Sequence, residues 1–176
     1  MFSLMGDTIL VMSLPALIDT RKVAQRRALH FETLDGVLAD AAALATAEQR
    51  NSLRQLGNWT LGQICNHLAA WVHYGFEGAP FTPPWFIRLV ARPMKRRFLE
   101  KGLPAGARIP KVPGGTHGID LVSTQEGIAR LTKAFDRLKA GPPAIPNSVF
   151  GPLTSEEWTM LHLRHAELHL SFLRAD

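Results

Sequence analysis

The stretch that decides the fold is "NWTLGQICNHLAAWVHYGF", residues 58–76. It opens with a helix-start signal, Thr60 followed three residues later by Gln63. That is the spacing of a capping box, in which each residue satisfies the other's unpaired backbone N–H. Trp59 before the cap and Ile64 after it occupy the positions of a hydrophobic staple. Ile64, Leu68, Trp71 and Gly75 then recur at helical spacing, with Tyr74 at the edge of that face. One residue breaks the apolar stripe: His67 sits near its centre.

Working outward, three further long helical patterns appear. The first runs from Leu34 to Gln49 with Thr33 as N-cap, and Leu34, Val37, Leu38, Ala41 and Ala45 on one face. Another starts at Ser123 with Glu126 as box partner, carries Ile128, Leu131, Phe135 and Leu138, and ends at Gly141-Pro142. The last starts at Thr154 with Glu157, and Leu153 and Trp158 form its staple. No strand-like alternation competes. The expectation is an all-α four-helix bundle with a long crossover between its second and third helices, which lets those two run in the same direction.

The crossover, about residues 80–122, is rich in Pro and Gly. Within it "PPWFIRLVARPMKRRFLEKG" predicts a short basic helix with prolines in its first turn and a kink or restart at Pro93. Ile87, Val90, Met94 and Phe98 are expected on its apolar side, and Arg88, Arg92 and Arg96 opposite. Between Arg88 and Lys111 lie eight basic residues and one acid, Glu100. The segment carries +7 of a net charge of +5, so the remainder of the chain is −2. Such local charge suits attraction of an anionic substrate by Arg88, Arg92 and Arg96. It weighs against nucleic acid as a partner, because a phosphate-tracking surface covers more of a domain.

Length and composition fit one soluble domain: 176 residues, 46% hydrophobic and 20% charged. Residues 1–30 are expected to form a loosely ordered arm before a single domain at 31–176. Met12 is an alternative start to Met1. The apolar run Thr8–Ile18 contains Pro15 and is too short to span a bilayer. The lone Cys65 excludes a disulfide framework and a cysteine-rich zinc site, and fits a reducing cytoplasm. A homodimer is a further expectation.

The last helix holds a second oddity, "LHLRHAELHLSF", residues 161–172. Advancing 100° per residue places His162, His165 and His169 within an arc of about 60° centred on Trp158. Arg164, Glu167, Ser171 and Arg174 fall opposite. The histidines therefore point inward. His165 and His169, four apart, are neighbours that can chelate one ion. His67 adds a third inward imidazole, giving the ligand count of a catalytic zinc-type site with an open position. Imidazole suits zinc, nickel or iron. His162 is the weakest candidate, placed for packing or indirect support. A lone inward histidine is more often a hydrogen-bonded core residue; three on two capped helices, with no carboxylate beside them, bring metal binding level with that reading.

Spacing excludes several familiar chemistries. In H-E-x-x-H the glutamate follows the first histidine, whereas here His165-Ala-Glu167-Leu-His169 turns Glu167 to the far side. There is no G-x-S-x-G elbow or P-loop, and "GGTHG" around His117 reads as a flexible loop.

Taken together, "NWTLGQICNHLAAW" and "HAELHLSF" resemble the histidine motifs of the DinB/YfiT-like metalloenzymes. "FGPLTSEEWTMLHLRHAELHLSF" and the basic insert are similar to a bacterial domain-of-unknown-function branch of that superfamily. The resemblance runs from about Phe31 to Phe172. It implies a four-helix bundle binding a divalent metal at His67, His165 and His169, with low-molecular-weight thiol transfer or metal-dependent amide hydrolysis among the activities of relatives. A small-molecule substrate, such as an anionic low-molecular-weight thiol, follows from it. Two departures stand out: "NSVFG" replaces a His-Pro pair before the phenylalanine, and Leu168 stands where relatives often carry another histidine. The alternatives are a non-catalytic metal-binding or stress-response protein and, further off, a nucleic-acid-binding one.

Overall fold

A computed structural model describes residues 17–109 and 112–176. Among them are six α-helices: α1 (Leu34–Gln49), α2 (Leu61–Glu77), α3 (Trp85–Ala91), α4 (Lys95–Lys101), α5 (Thr124–Ala140) and α6 (Ser155–Leu170). The fold is mostly helical. A two-stranded antiparallel ribbon, β1 (Leu53–Gln55) with β2 (Leu173–Ala175), ties the exit of α1 to the chain's end. No helix among the described residues is long and apolar enough to cross a membrane.

The caps explain where the helices begin. Thr60 and Thr154 each accept from the backbone N–H three residues on, and Gln63 and Glu157 return the bond, so both capping boxes are complete. At α5 only half of the expected box forms. Ser123 accepts from Glu126 N, while the Glu126 carboxylate pairs with Arg130 one turn on.

Two glycines set the closest crossing. A Cβ on Gly127 would lie 2.5 Å from the Gly62 carbonyl oxygen, so α2 and α5 meet backbone to backbone near their starts. Near their ends Glu77 pairs with Arg137, so the two helices run the same way. Thr124 donates to Glu48, and Lys139 pairs with Asp35, which makes α1 antiparallel to α5. Gly75 abuts Trp158 while His67 meets His165, which makes α6 antiparallel to α2. Leu44, Leu68, Leu131, Phe135, Trp158 and Leu170 fill the core that these four helices share.

The insert departs from expectation in detail. Its helix does divide at Pro93 into α3 and α4, as the proline predicts, and the departure lies in which side of α3 is buried. Ala91 and Leu99 are buried, whereas Val90, expected inside, is exposed.

The larger correction concerns the N-terminal segment and α6. Residues 1–16 lie outside the described residues, but from Leu17 on the expected loose arm is tied down. Ile18 exchanges two hydrogen bonds with the Asn58 side chain. Arg26 donates to the Ser171 hydroxyl and the Leu168 carbonyl, and Arg27 pairs with Asp40 at 2.7 Å. The Phe31 N–H donates to Glu167, and Arg164 donates to the Phe31 carbonyl. Residues 26–31 thus cover the polar side of α6, and Arg164, expected on a solvated face, is buried.

Candidate metal centre

Three imidazoles meet where α2 crosses the last two turns of α6. His67 and His165 are buried and His169 is half-buried. His165 Nε2 stands 3.2 Å from His67 Nε2 and 3.0 Å from His169 Nε2. One nitrogen from each ring falls within 4.8 Å of the other two.

Their hydrogens decide what this cluster can be. His67 Nδ1 lies 2.8 Å from the His117 carbonyl oxygen. A carbonyl only accepts, so Nδ1 carries the proton and Nε2 presents a lone pair to the cluster. A proton on His165 Nε2 can satisfy one of its two neighbours, not both. Without that proton, two lone pairs face each other across the His67–His165 contact. No tautomer makes both contacts favourable, whereas a cation at the centre satisfies all three lone pairs. The spacing agrees. Zinc–imidazole bonds of about 2.0–2.1 Å, at angles of roughly 90–110°, set nitrogens about 2.9–3.4 Å apart.

Burial holds the rings in the state a metal requires. Desolvation pushes His67 down to about 4, against which the His117 carbonyl works. It pushes His165 well below the usual histidine range, helped by His169, His67 and His162, and His169 likewise, helped by His67 and Arg26. Aromatic rings supply much of that burial. Trp59 stacks on His169 with centroids 5.0 Å apart and stands 5.0 Å from His67. Trp71 lies edge-on to His165 at 5.5 Å. Trp59, placed in the sequence as a helix staple, is also a wall of the site.

The loop at His117 has a role that its sequence conceals. Gln63 donates to the Ile119 carbonyl, Asn66 to that of Gly118 and His67 to that of His117. Three side chains on one face of α2 therefore bind three successive carbonyls. Arg130 from α5 donates to Asn66 Oδ1 and holds that amide in register. Gly118 has φ +76°, and a Cβ there would sit 2.7 Å from the Ala70 Cβ. The segment read as a flexible loop is docked, and its backbone oxygen orients a metal-ligand candidate. The His117 ring turns away and stacks on Phe81 at 5.7 Å.

The remaining candidates lie elsewhere. His162 stacks on Trp158 with its Nε2 buried and unpartnered, apart from the three converging nitrogens. Arg88 and Arg92 belong to α3 and its C-cap, and Arg96 pairs with Glu100 on α4. None of the three arginines hydrogen-bonds to a site histidine among the described residues. Glu167 is engaged by Phe31 N and Arg164, on the side of α6 away from the cluster. Cys65 is buried, which pushes its thiol up to about 12 and leaves it packing material rather than a ligand. A surface groove between residues 30–32 and the start of α6 contains none of the three histidines.

One family matches this chain, described as a protein of unknown function (DUF1569), across residues 23–176. No curated protein and no solved structure matches. The matched span takes in every element that builds the histidine cluster, from the segment bracing α6 to β2, and the chain belongs to the DUF1569 family.

Proposed function

We propose that this protein is a divalent-metal-dependent enzyme of DinB-like type, a thiol transferase or hydrolase, with His67, His165 and His169 as the metal ligands. In this reading α1, α2, α5 and α6 act as a four-helix bundle, and the site opens at one end of the α2–α6 seam. The observation that carries it is the convergence of three Nε2 atoms whose contacts no arrangement of protons satisfies. An all-imidazole set suits zinc or nickel best and also takes iron. When bound, such an ion lowers the pKa of a coordinated thiol or water, so that a nucleophile exists at neutral pH.

The chain's own residues prepare that site. The His117 carbonyl fixes the tautomer of His67, as outer partners of metal-bound histidines generally do. Trp59 and Trp71 exclude water from the flanks and keep the rings neutral. His169 is half-buried, which leaves the cluster reachable from solvent by a small molecule such as a low-molecular-weight thiol.

The second reading is a non-catalytic metal-binding or stress-response protein. It calls for a site closed by a fourth protein ligand, and His162 is the candidate on α6. Its ring is stacked on Trp158 instead, which supports the open, catalytic arrangement. Elemental analysis of the purified chain, followed by thiol-transfer and amide-hydrolysis screens, separates the two. Stoichiometric metal with turnover supports the enzyme; stoichiometric metal without turnover for any substrate class supports the second reading; absence of metal after loading removes both.

A further inference from the structure

The three basic-insert arginines make no hydrogen bond to the site histidines, and beside them lies the densest run of exposed hydrophobic side chains among the described residues. Nine large hydrophobic side chains are well exposed among the described residues, and four of them fall on the seven residues of α3. Trp85 is 69% exposed, Phe86 53%, Leu89 66% and Val90 60%. Trp85 and Leu89, and Phe86 and Val90, are each four apart, so the four rings and branched chains share an arc of about 140°. Ile87 and Ala91 take the inward side. Arg88 and Arg92 border the arc next to Trp85, and Arg97 and Lys101 are exposed on α4.

We infer that the α3–α4 insert is a docking surface for an anionic lipid bilayer, which α3 enters by its Trp85–Val90 face while the surrounding cations meet the headgroups. The composition of the patch selects this occupant. Trp is favoured at the membrane–water interface, where its ring is half in hydrocarbon and its N–H stays wet. Leu89 and Val90 gain from hydrocarbon and offer nothing to a base-stacking nucleic acid. Basic side chains within a Debye length of a negative leaflet add attraction that either signal alone would not supply. A second copy is disfavoured by charge. A symmetric contact through this face would set two +7 segments against each other. The surface also adjoins the histidine cluster in sequence: Phe81, which stacks on His117, is four residues before Trp85. This inference stands whether or not the cluster binds metal.

The test is flotation of the purified full-length chain with vesicles of phosphatidylcholine, and of phosphatidylcholine containing roughly a third phosphatidylserine. Binding is expected to the anionic vesicles, weakening as salt rises. Arg92→Glu with Arg97→Glu, both exposed and without ion-pair partners among the described residues, should lower the partition at least about 25-fold, at roughly fivefold per lost cation. Trp85→Ser with Leu89→Ser should lower it by on the order of tenfold or more, with helical circular dichroism unchanged. No binding to the anionic vesicles, or equal binding to both kinds, would overturn the inference. So would retention of binding by both double variants. Loss of a dimer or of RNA binding in those variants, with no vesicle binding by the wild type, would assign the patch to that other partner.

Discussion

Helix α6 buries two polar faces, and they differ in how their polar atoms are answered. On one face Arg164, Glu167 and Ser171 meet residues 26–31, and donors and acceptors largely pair within the chain. On the other face His165 and His169 meet His67, and their nitrogens converge with no consistent set of hydrogens. Among the described residues the first arrangement leaves only the buried Nε atoms of Arg27 and Arg164 without a partner, and it contributes to holding the chain together. The second leaves lone pairs that the proposed cation would answer. Burial of polar groups alone therefore does not mark a site; burial with an unanswerable convergence does.

The largest effect that would sharpen this contrast is on metal content. His67→Ala, His165→Ala and His169→Ala should each lower affinity well beyond the roughly 10–100-fold that outer-shell changes cost. His73→Ala and His117→Ala should retain the ion, because His73 faces Arg137 and Glu77, and His117 contributes its backbone carbonyl. His162→Ala should show little effect. Mass spectrometry under native conditions, or elemental analysis, reads all six; equal retention throughout would erase the distinction between the faces.

Acid should act on the histidine side. His67 and His162 are held at about 4, below an ordinary value of 6.5, chiefly by burial. Between those values the unfolded chain takes up protons that the native, metal-free protein does not. Stability is therefore complete above about pH 6.5 and falls as the pH drops toward about 4, and His165 and His169, also held low by burial, add to the decline. His67 and His162 each contribute up to about 3 kcal/mol. Denaturant titrations across that range should show the decline, and a flat profile would mean these rings are not desolvated.

On the opposite face Glu167→Ala should destabilise by about 3 kcal/mol, since it strands the buried Arg164 and the Phe31 N–H. Metal content should be unchanged. Loss of metal in that variant would show that the two faces are not separable. A smaller effect is expected of Gly118→Ala, whose Cβ would press on Ala70 and shift the carbonyl that orients His67. It should cost about 1–3 kcal/mol through strain and lower metal affinity by roughly tenfold.

What the sequence made legible was local. The boxes at Thr60 and Thr154 involve residues three apart, so the helix starts could be read from single stretches. The inward direction of His67, His165 and His169 followed from the helical period. What was concealed was long-range. The burial of Arg164 depends on a segment more than 130 residues earlier. The three-residue ribbon β1–β2 is too short to alternate, and exists through pairing of distant ends. The support of His67 comes from a backbone oxygen, which every residue carries and no motif announces. Within the insert, the restart at Pro93 was legible, but the side of α3 that packs inward is set by the rest of the fold, which buries Ala91 and leaves Val90 exposed.

The central claim is tested most directly by melting the wild type and the variant His165→Leu with His169→Leu, each with and without added zinc or nickel. Leucine has similar bulk and no lone pair, so it removes the convergence while keeping the packing. The variant should remain a folded helical protein, at least as stable as metal-free wild type, with no response to metal. The wild type should gain about 2.7 kcal/mol at a metal concentration of roughly 100 times Kd, a rise of roughly 5–10 °C in Tm. If the variant unfolds while wild type shows no metal-dependent shift, the histidine face is structural like the arginine face, and the proposed metal site is contradicted.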